Sequence, residues 1–154
     1  MINQISKGVF LITTLLAFTI GASSVLSEPQ SGTHTITVYK NQSCGCCNKW
    51  IDHLKEHGFQ VDAHNTTDLT EIKTKYGVPG NLSSCHTAFV EGYVVEGHVP
   101  ADVILKLLKE RPKVVGITVP GMPIGSPGME GAYSESYDIL TFDKDGKTQV
   151  YTSR

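Results

Sequence analysis

The sequence predicts an α/β fold whose elements run β-α-β-α-β-β-α and then pass into an irregular loop and a closing hairpin. Three observations predict it. Short β-rich runs that alternate apolar and polar positions (Ile36 and Val38, then Phe59, Val61 and Ala63) are separated by stretches with apolar residues at helical spacing (Trp50, Ile51, Leu54). A pair of β-rich runs, Ala88-Phe89-Val90 and Tyr93-Val94-Val95, flanks Glu91-Gly92, the mark of a tight antiparallel turn. All 4 cysteines lie in two segments, Ser43-Cys44-Gly45-Cys46-Cys47 and Ser84-Cys85-His86-Thr87, the first directly between a strand pattern and a helix pattern.

The chain has 154 residues, which suits one domain, with a formal charge of −2 and no basic run that would suit nucleic acid. Residues 1–27 read as a secretory signal. Lys7 supplies the positive end, Val9 to Ile20 form an apolar core short for a membrane span, and Ala22, Ser23, Ser24 and Ser27 offer cleavage after Ser24 or Ser27. The expectation is therefore export to an oxidising compartment, with no membrane attachment once the leader is cut. Residues 28–34 are polar and turn-rich and read as a tether, leaving 35–154 as the folded domain.

Within that domain Thr35–Tyr39 is the first strand, and Ser43 is the expected N-cap of a helix from Cys44 or Gly45 to His57, stopped by Gly58. A strand over Phe59–Ala63 completes a right-handed βαβ unit with parallel strands. Asp68–Tyr76 is a second helix. Pro100 opens a third, Ala101–Arg111, whose Val103, Ile104, Leu107 and Leu108 form a core stripe. From Val114 the pattern becomes irregular. Val119–Glu130 is an ordered Gly/Pro/Met loop, and Tyr137–Phe142 and Thr148–Thr152 form a hairpin around Asp143-Lys144-Asp145-Gly146-Lys147, an acidic turn too short for a calcium loop. The element order is that of the thioredoxin fold, and Cys44-Gly45-Cys46-Cys47 falls in register with a Cys-Gly-x-Cys redox motif. Two features depart from an ordinary oxidoreductase: the extra thiol of Cys46, and Ser-Cys-His-Thr where a thioredoxin presents a cis-proline.

The chemistry expected of these residues is sulfur chemistry. A helix N-terminus favours thiolate over thiol, and thiolates attack disulfides and bind soft metals. In an oxidising compartment an even number of cysteines also suits plain disulfide staples. Cys44 to Cys47 is the pairing of least strain, leaving Cys46 for Cys85. A third strand starting at Cys85 would bring all four thiols into one pocket. Thiolate and thioether donors suit copper(I), and four thiolates, or three with an imidazole, suit zinc equally well. Cys46 and Cys47 diverge by about 100° around a helix, which favours sulfurs bridging several copper(I) ions. His86 is a ligand or a neighbour of the ligands. Met122 and Met129, in a loop rather than a helix stripe, are core filler or soft ligands. His53 and His57 read as a solvated helix face, His98 as a packing or capping residue beside Pro100, and His34 and His64 carry no signal.

The motifs resemble a known family. Cys-Gly-Cys-Cys is followed by Trp50, His53-Leu54, Gly58-Phe59, Gly77-Val78-Pro79, Ser84-Cys85-His86-Thr87-Ala88, Gly92-Tyr93 and Glu96-Gly97-His98-Val99-Pro100-Ala101. Val119-Pro120-Gly121-Met122-Pro123 and Gly125-Ser126-Pro127-Gly128-Met129-Glu130 complete the series. This ordered set, over about residues 35–150, resembles the CopG-like periplasmic copper-resistance proteins, also labelled a domain of unknown function. The resemblance implies a thioredoxin-like fold, copper handling in the periplasm alongside other copper-handling proteins, and Cys44, Cys46, Cys47 and Cys85 as the metal and redox site. A metal-binding protein with thiol and copper redox activity is thus expected ahead of an enzyme. A thioredoxin-type thiol-disulfide oxidoreductase, a zinc module and an inert stapled domain are the alternatives.

Overall fold

The computed structural model describes residues 33–154; the expected leader, and the tether up to Gly32, lie outside the described residues. The elements are β1 (Thr35–Lys40), α1 (Gly45–Glu56), β2 (Gln60–Asn65), α2 (Leu69–Lys75), β3 (His86–Val90), β4 (Tyr93–Glu96), α3 (Ala101–Glu110), β5 (Gly116–Thr118), β6 (Asp138–Phe142) and β7 (Thr148–Ser153). The expected β-α-β-α-β-β-α order is present. Among the described residues no helix is long and apolar enough to cross a membrane.

All seven strands join one sheet in the order β2-β1-β3-β4-β5-β6-β7. β1 runs parallel to β2 and antiparallel to β3, and β3 pairs with β4 around Glu91-Gly92, as the turn chemistry predicts. α3 crosses over to β5, which lies parallel to β4 and antiparallel to β6. β5 is a strand where the sequence pattern shows only the start of an irregular region. Three residues are too few to display alternation, yet this strand makes the closing hairpin continuous with the main sheet.

Alternation along β3 and β4 divides the interior. Ala88, Val90 and Val95 meet α1 (Trp50, Ile51, Leu54) and the α3 stripe (Val103, Ile104, Leu107, Leu108) in the main core. Phe89 and Val94 face the other way, with Val78, Leu82 and Phe142. α1 is capped by Cys44 rather than Ser43. The Cys44 sulfur accepts from the Cys47 N–H, while the Ser43 hydroxyl turns back to Asn41 Oδ1 at 2.7 Å. α3 borrows its cap: Pro100 offers no side-chain acceptor, and the Ala101 N–H donates to His53 Nε2 at 3.1 Å. His53 therefore works between two helices and is not part of a solvated face.

Leu107 has no exposed surface and is surrounded by both helices and the sheet. Leu107→Ala should destabilise the domain by about 2–5 kcal/mol through lost transfer energy and a residual cavity. The urea midpoint should fall with an unchanged slope; an unchanged midpoint would show that α3 packs differently.

Candidate metal centre

The site forms where the end of β1 delivers the chain to α1 and where β3 begins beside it. Cys44, Cys46 and Cys47 occupy the cap and first turn of α1, and Cys85 stands one residue before β3. Cys44 and Cys47 are joined as a disulfide, with Cα atoms 5.3 Å apart, while Cys46 and Cys85 are free thiols. Cys46 Sγ lies 3.5 Å from Cys44 Sγ, and Cys85 Sγ lies 3.5 Å from Cys47 Sγ. All four sulfurs fall within 4.8 Å of one another. The divergence expected of Cys46 and Cys47 around the helix therefore does not keep their sulfurs out of a common cluster.

Cys85 also belongs to a second group. Its sulfur is 3.1 Å from His98 Nε2 and 3.4 Å from His86 Nδ1, and the three side chains offer donor atoms within 4.8 Å of one another. His98 Nδ1 donates to the Pro127 carbonyl at 2.7 Å. The neutral ring therefore carries its proton on Nδ1 and turns the Nε2 lone pair toward Cys85, the arrangement by which a backbone carbonyl orients a ligating imidazole. His86 has no exposed surface, packs its ring 4.2 Å from that of Trp50, and has an Nε2 without a hydrogen-bond partner. His86 thus turns Nδ1 toward the Cys85 thiol and leaves a buried Nε2 unpaired, which is unusual for an imidazole in an apolar core.

His98 is the residue that residue-by-residue reading missed, though a signal for it exists. In the β3–β4 register Thr87 faces Glu96, so two steps back along the same ladder Cys85 faces His98. The Gly97 N–H still donates to the His86 carbonyl, at 3.3 Å, which carries the ladder toward that point. The Gly/Pro/Met loop closes the other side. Gly128, at φ +87°, presses so near α1 that a Cβ there would lie 2.6 Å from the Cys46 carbonyl oxygen. Met122 is half exposed and Met129 half-buried on this loop.

Burial dominates the electrostatics. It pushes the Cys85 thiol up to about 12, with repulsion from Cys46 adding to the effect. It also lowers His98, and it lowers His86 well below 6.5, with the neighbouring His98 and Lys73 charges adding for His86. In the metal-free chain the site thus favours neutral imidazoles and a protonated Cys85. A metal cation would keep the imidazoles neutral and reverse only the thiol preference, by stabilising the Cys85 thiolate.

An α/β domain with four sulfurs and two imidazoles gathered at a strand-to-helix junction defines a thiol-rich protein whose cluster is capable of holding metal. The comparisons with known proteins agree. The family model described as "Protein of unknown function, DUF411" matches residues 82–129. The solved structure described as "Copper resistance protein copG- Form 2" is 44% identical, with a TM-score of 0.75, and the match covers 79% of this chain and 98% of that one. "Copper resistance protein copG- Form 1" is 45% identical, with a TM-score of 0.74, covering 78% and 96%. No curated protein matches the sequence. The chain belongs to the CopG-like copper-resistance family.

Unfolding releases His86 and His98 to protonate near the ordinary value of 6.5, whereas in the folded chain both stay neutral to lower pH. The unfolded state then holds more protons. Stability present above about pH 6.5 should be lost as pH falls below it, by at most about 1.4 kcal/mol per pH unit for each histidine. Urea midpoints of the metal-free protein between about pH 7.5 and 5.5 should show this slope, and His86→Gln/His98→Gln should flatten it. Equal slopes in the two proteins would assign the acid sensitivity elsewhere.

Proposed function

We propose that the chain is a periplasmic copper(I)-binding protein of copper resistance, holding the metal with Cys44, Cys46, Cys47 and Cys85. The observation that carries this reading is the convergence of all four sulfurs within 4.8 Å. Soft thiolates suit copper(I), and the likeness to structures described as copper resistance proteins supports copper rather than zinc as the metal. His98 Nε2, oriented by Pro127, is a further donor on the Cys85 side. His86 lies beside it, and Met129 follows Gly128 in the loop against α1. The leader-like residues 1–27 support export, and the copper would be exchanged there with other periplasmic copper-handling proteins.

Oxidation state decides how many sulfurs are available. As the Cys44–Cys47 bridge, two of the four lack thiolate character. Adding two electrons and two protons to the S–S bond yields two thiols, and metal binding then displaces the thiol protons. Copper(I) uptake is therefore coupled to prior reduction. The same bridge favours a second reading, a thioredoxin-type oxidoreductase: a substrate thiolate would attack the Cys44–Cys47 disulfide, forming a mixed disulfide as the other cysteine leaves as thiolate, and a second substrate thiolate would then release the enzyme as a dithiol.

Cys85→Ser should fold with a near-native circular dichroism spectrum yet bind fewer copper(I) ions, or bind them more weakly, in competition with a chromogenic copper(I) chelator. His86→Ala should have the smaller effect. Unchanged copper binding by folded Cys85→Ser would remove the four-thiol site. Air-oxidised protein should take up less copper(I) than reduced protein; equal uptake would uncouple binding from reduction. Mass spectrometry of the exported protein should find an N-terminus at Val25 or Glu28, and intact Met1 would refute cleavage.

A further inference from the structure

Glu96, the last residue of β4, is a carboxylate with no exposed surface. Its Oε1 accepts from Lys73 Nζ of α2 and, at 2.5 Å, from the backbone N–H of Ser84. Its Oε2 accepts from the Thr87 hydroxyl at 2.7 Å, and Lys73 Nζ donates to that hydroxyl oxygen at 2.9 Å. Every polar group of this small network is paired inside the protein. A buried ion pair is a weak source of stability, because removing two charges from water costs about as much as their attraction returns. What the network holds is therefore more informative than what it contributes to stability.

It holds Ser84, the residue before Cys85. Ser84 lies outside helix and strand, and the Glu96 carboxylate takes the place of a ladder partner for its N–H. Two further contacts fix it. Its hydroxyl donates to the Gly121 carbonyl at 3.0 Å, and Gly97 sits so close that a Cβ there would lie 2.8 Å from the Ser84 Cβ. With Ser84 held in this way, the next side chain places its sulfur 3.5 Å from Cys47 Sγ and 3.1 Å from His98 Nε2.

We propose that Glu96, charge-balanced by Lys73, is a positioning residue of the metal site: its carboxylate holds the Ser84 N–H and thereby sets the Cys85 sulfur opposite the α1 cysteines. The inference rests on the reading that Cys85 is a copper ligand. A role confined to stability would need only a filled, satisfied interior, which apolar side chains of similar volume also provide. A positioning role needs an acceptor at the Glu96 oxygen.

The test measures copper(I) affinity of the reduced protein by chelator competition in paired variants. Lys73→Met/Glu96→Leu removes both charges and the acceptor; Lys73→Met/Glu96→Gln removes the charges but keeps an acceptor for Ser84 and a donor for Thr87. The Leu variant, with native circular dichroism, should bind copper(I) at least about 10-fold more weakly, the loss typical when a ligand's supporting contact is removed, and the Gln variant should recover to within about 3-fold of wild type. Adding Lys73→Met/Glu96→Leu to Cys85→Ser should weaken binding by no more than about 2-fold beyond Cys85→Ser alone, because the two changes act on one ligand. Wild-type affinity in the folded Leu variant, no recovery with Gln, or additive losses would each overturn the proposal. If Cys85→Ser itself binds as wild type, the ligand reading fails; if only Cys85→Ser is weak, the positioning role fails. Should the Leu variant not fold, hydrogen exchange in the wild type decides: a Ser84 amide as protected as those of β3 supports the clamp, and one exchanging as a free amide refutes it.

Discussion

Trp50 places an indole with no exposed surface one helical turn behind the α1 cysteines. Its Nε1–H donates to the Val99 carbonyl at 2.8 Å, and its ring lies 4.2 Å from that of His86. One side chain thus ties α1 to the β4–α3 connection and to the start of β3. These are the segments that carry the thiols and imidazoles of the site. A buried aromatic of this size removes roughly 150–250 Å² from water, and its N–H has to find an acceptor once buried. Two requirements, apolar burial and one hydrogen bond, therefore set the angle at which the cysteine-bearing turn meets the sheet. The geometry of the cysteine cluster here follows from core packing.

The dryness that packing creates governs the chemistry. Four sulfurs within 4.8 Å cannot all be thiolates without a counter-charge, and the rise of the Cys85 pKa through burial and Cys46 expresses that constraint. Three states relieve it: protonated thiols, a disulfide, or thiolates around a cation. The Cys44–Cys47 bridge with a free Cys46 and Cys85 is one of these states. Redox state and metal occupancy are alternative ways of neutralising the same cluster, so a single physical constraint links the two activities proposed for it.

Much of the fold was legible in the sequence because its main elements are long and periodic. α1, the β3–β4 hairpin and the α3 stripe each show their own repeat, and the expected helix over Ala101–Arg111 differs from the observed α3 only at its last residue. β5 was not legible, since three residues between valines show neither period. Residue type points to Ser43 as the α1 cap because a serine is the commoner acceptor, whereas here the Cys44 sulfur takes the Cys47 N–H and Ser43 is held by Asn41. Of the site, the four cysteines stood out by residue type alone. His98 did not, although the hairpin register carries it to Cys85, because that inference requires extending a ladder past the ends of both strands. Lys73 and Glu96 lie 23 residues apart on α2 and β4 and carry no mark in the sequence of a shared buried position.

The site is assembled from segments far apart in the chain: the α1 turn, the start of β3, the end of β4 and the loop through Gly128. The last closes it by backbone contact, since Gly128 must approach the Cys46 carbonyl more closely than any side chain permits, and its N–H is taken by the Glu130 carboxylate at 2.6 Å. Pro127, beside it, supplies the carbonyl that fixes the His98 tautomer. The loop therefore acts on the cysteine and histidine cluster twice, by covering the α1 turn and by aiming an imidazole at Cys85. None of these relations survives unfolding, so a metal held at the proposed site would contribute its binding free energy to folding, and the loop belongs to that site as much as the cysteines do.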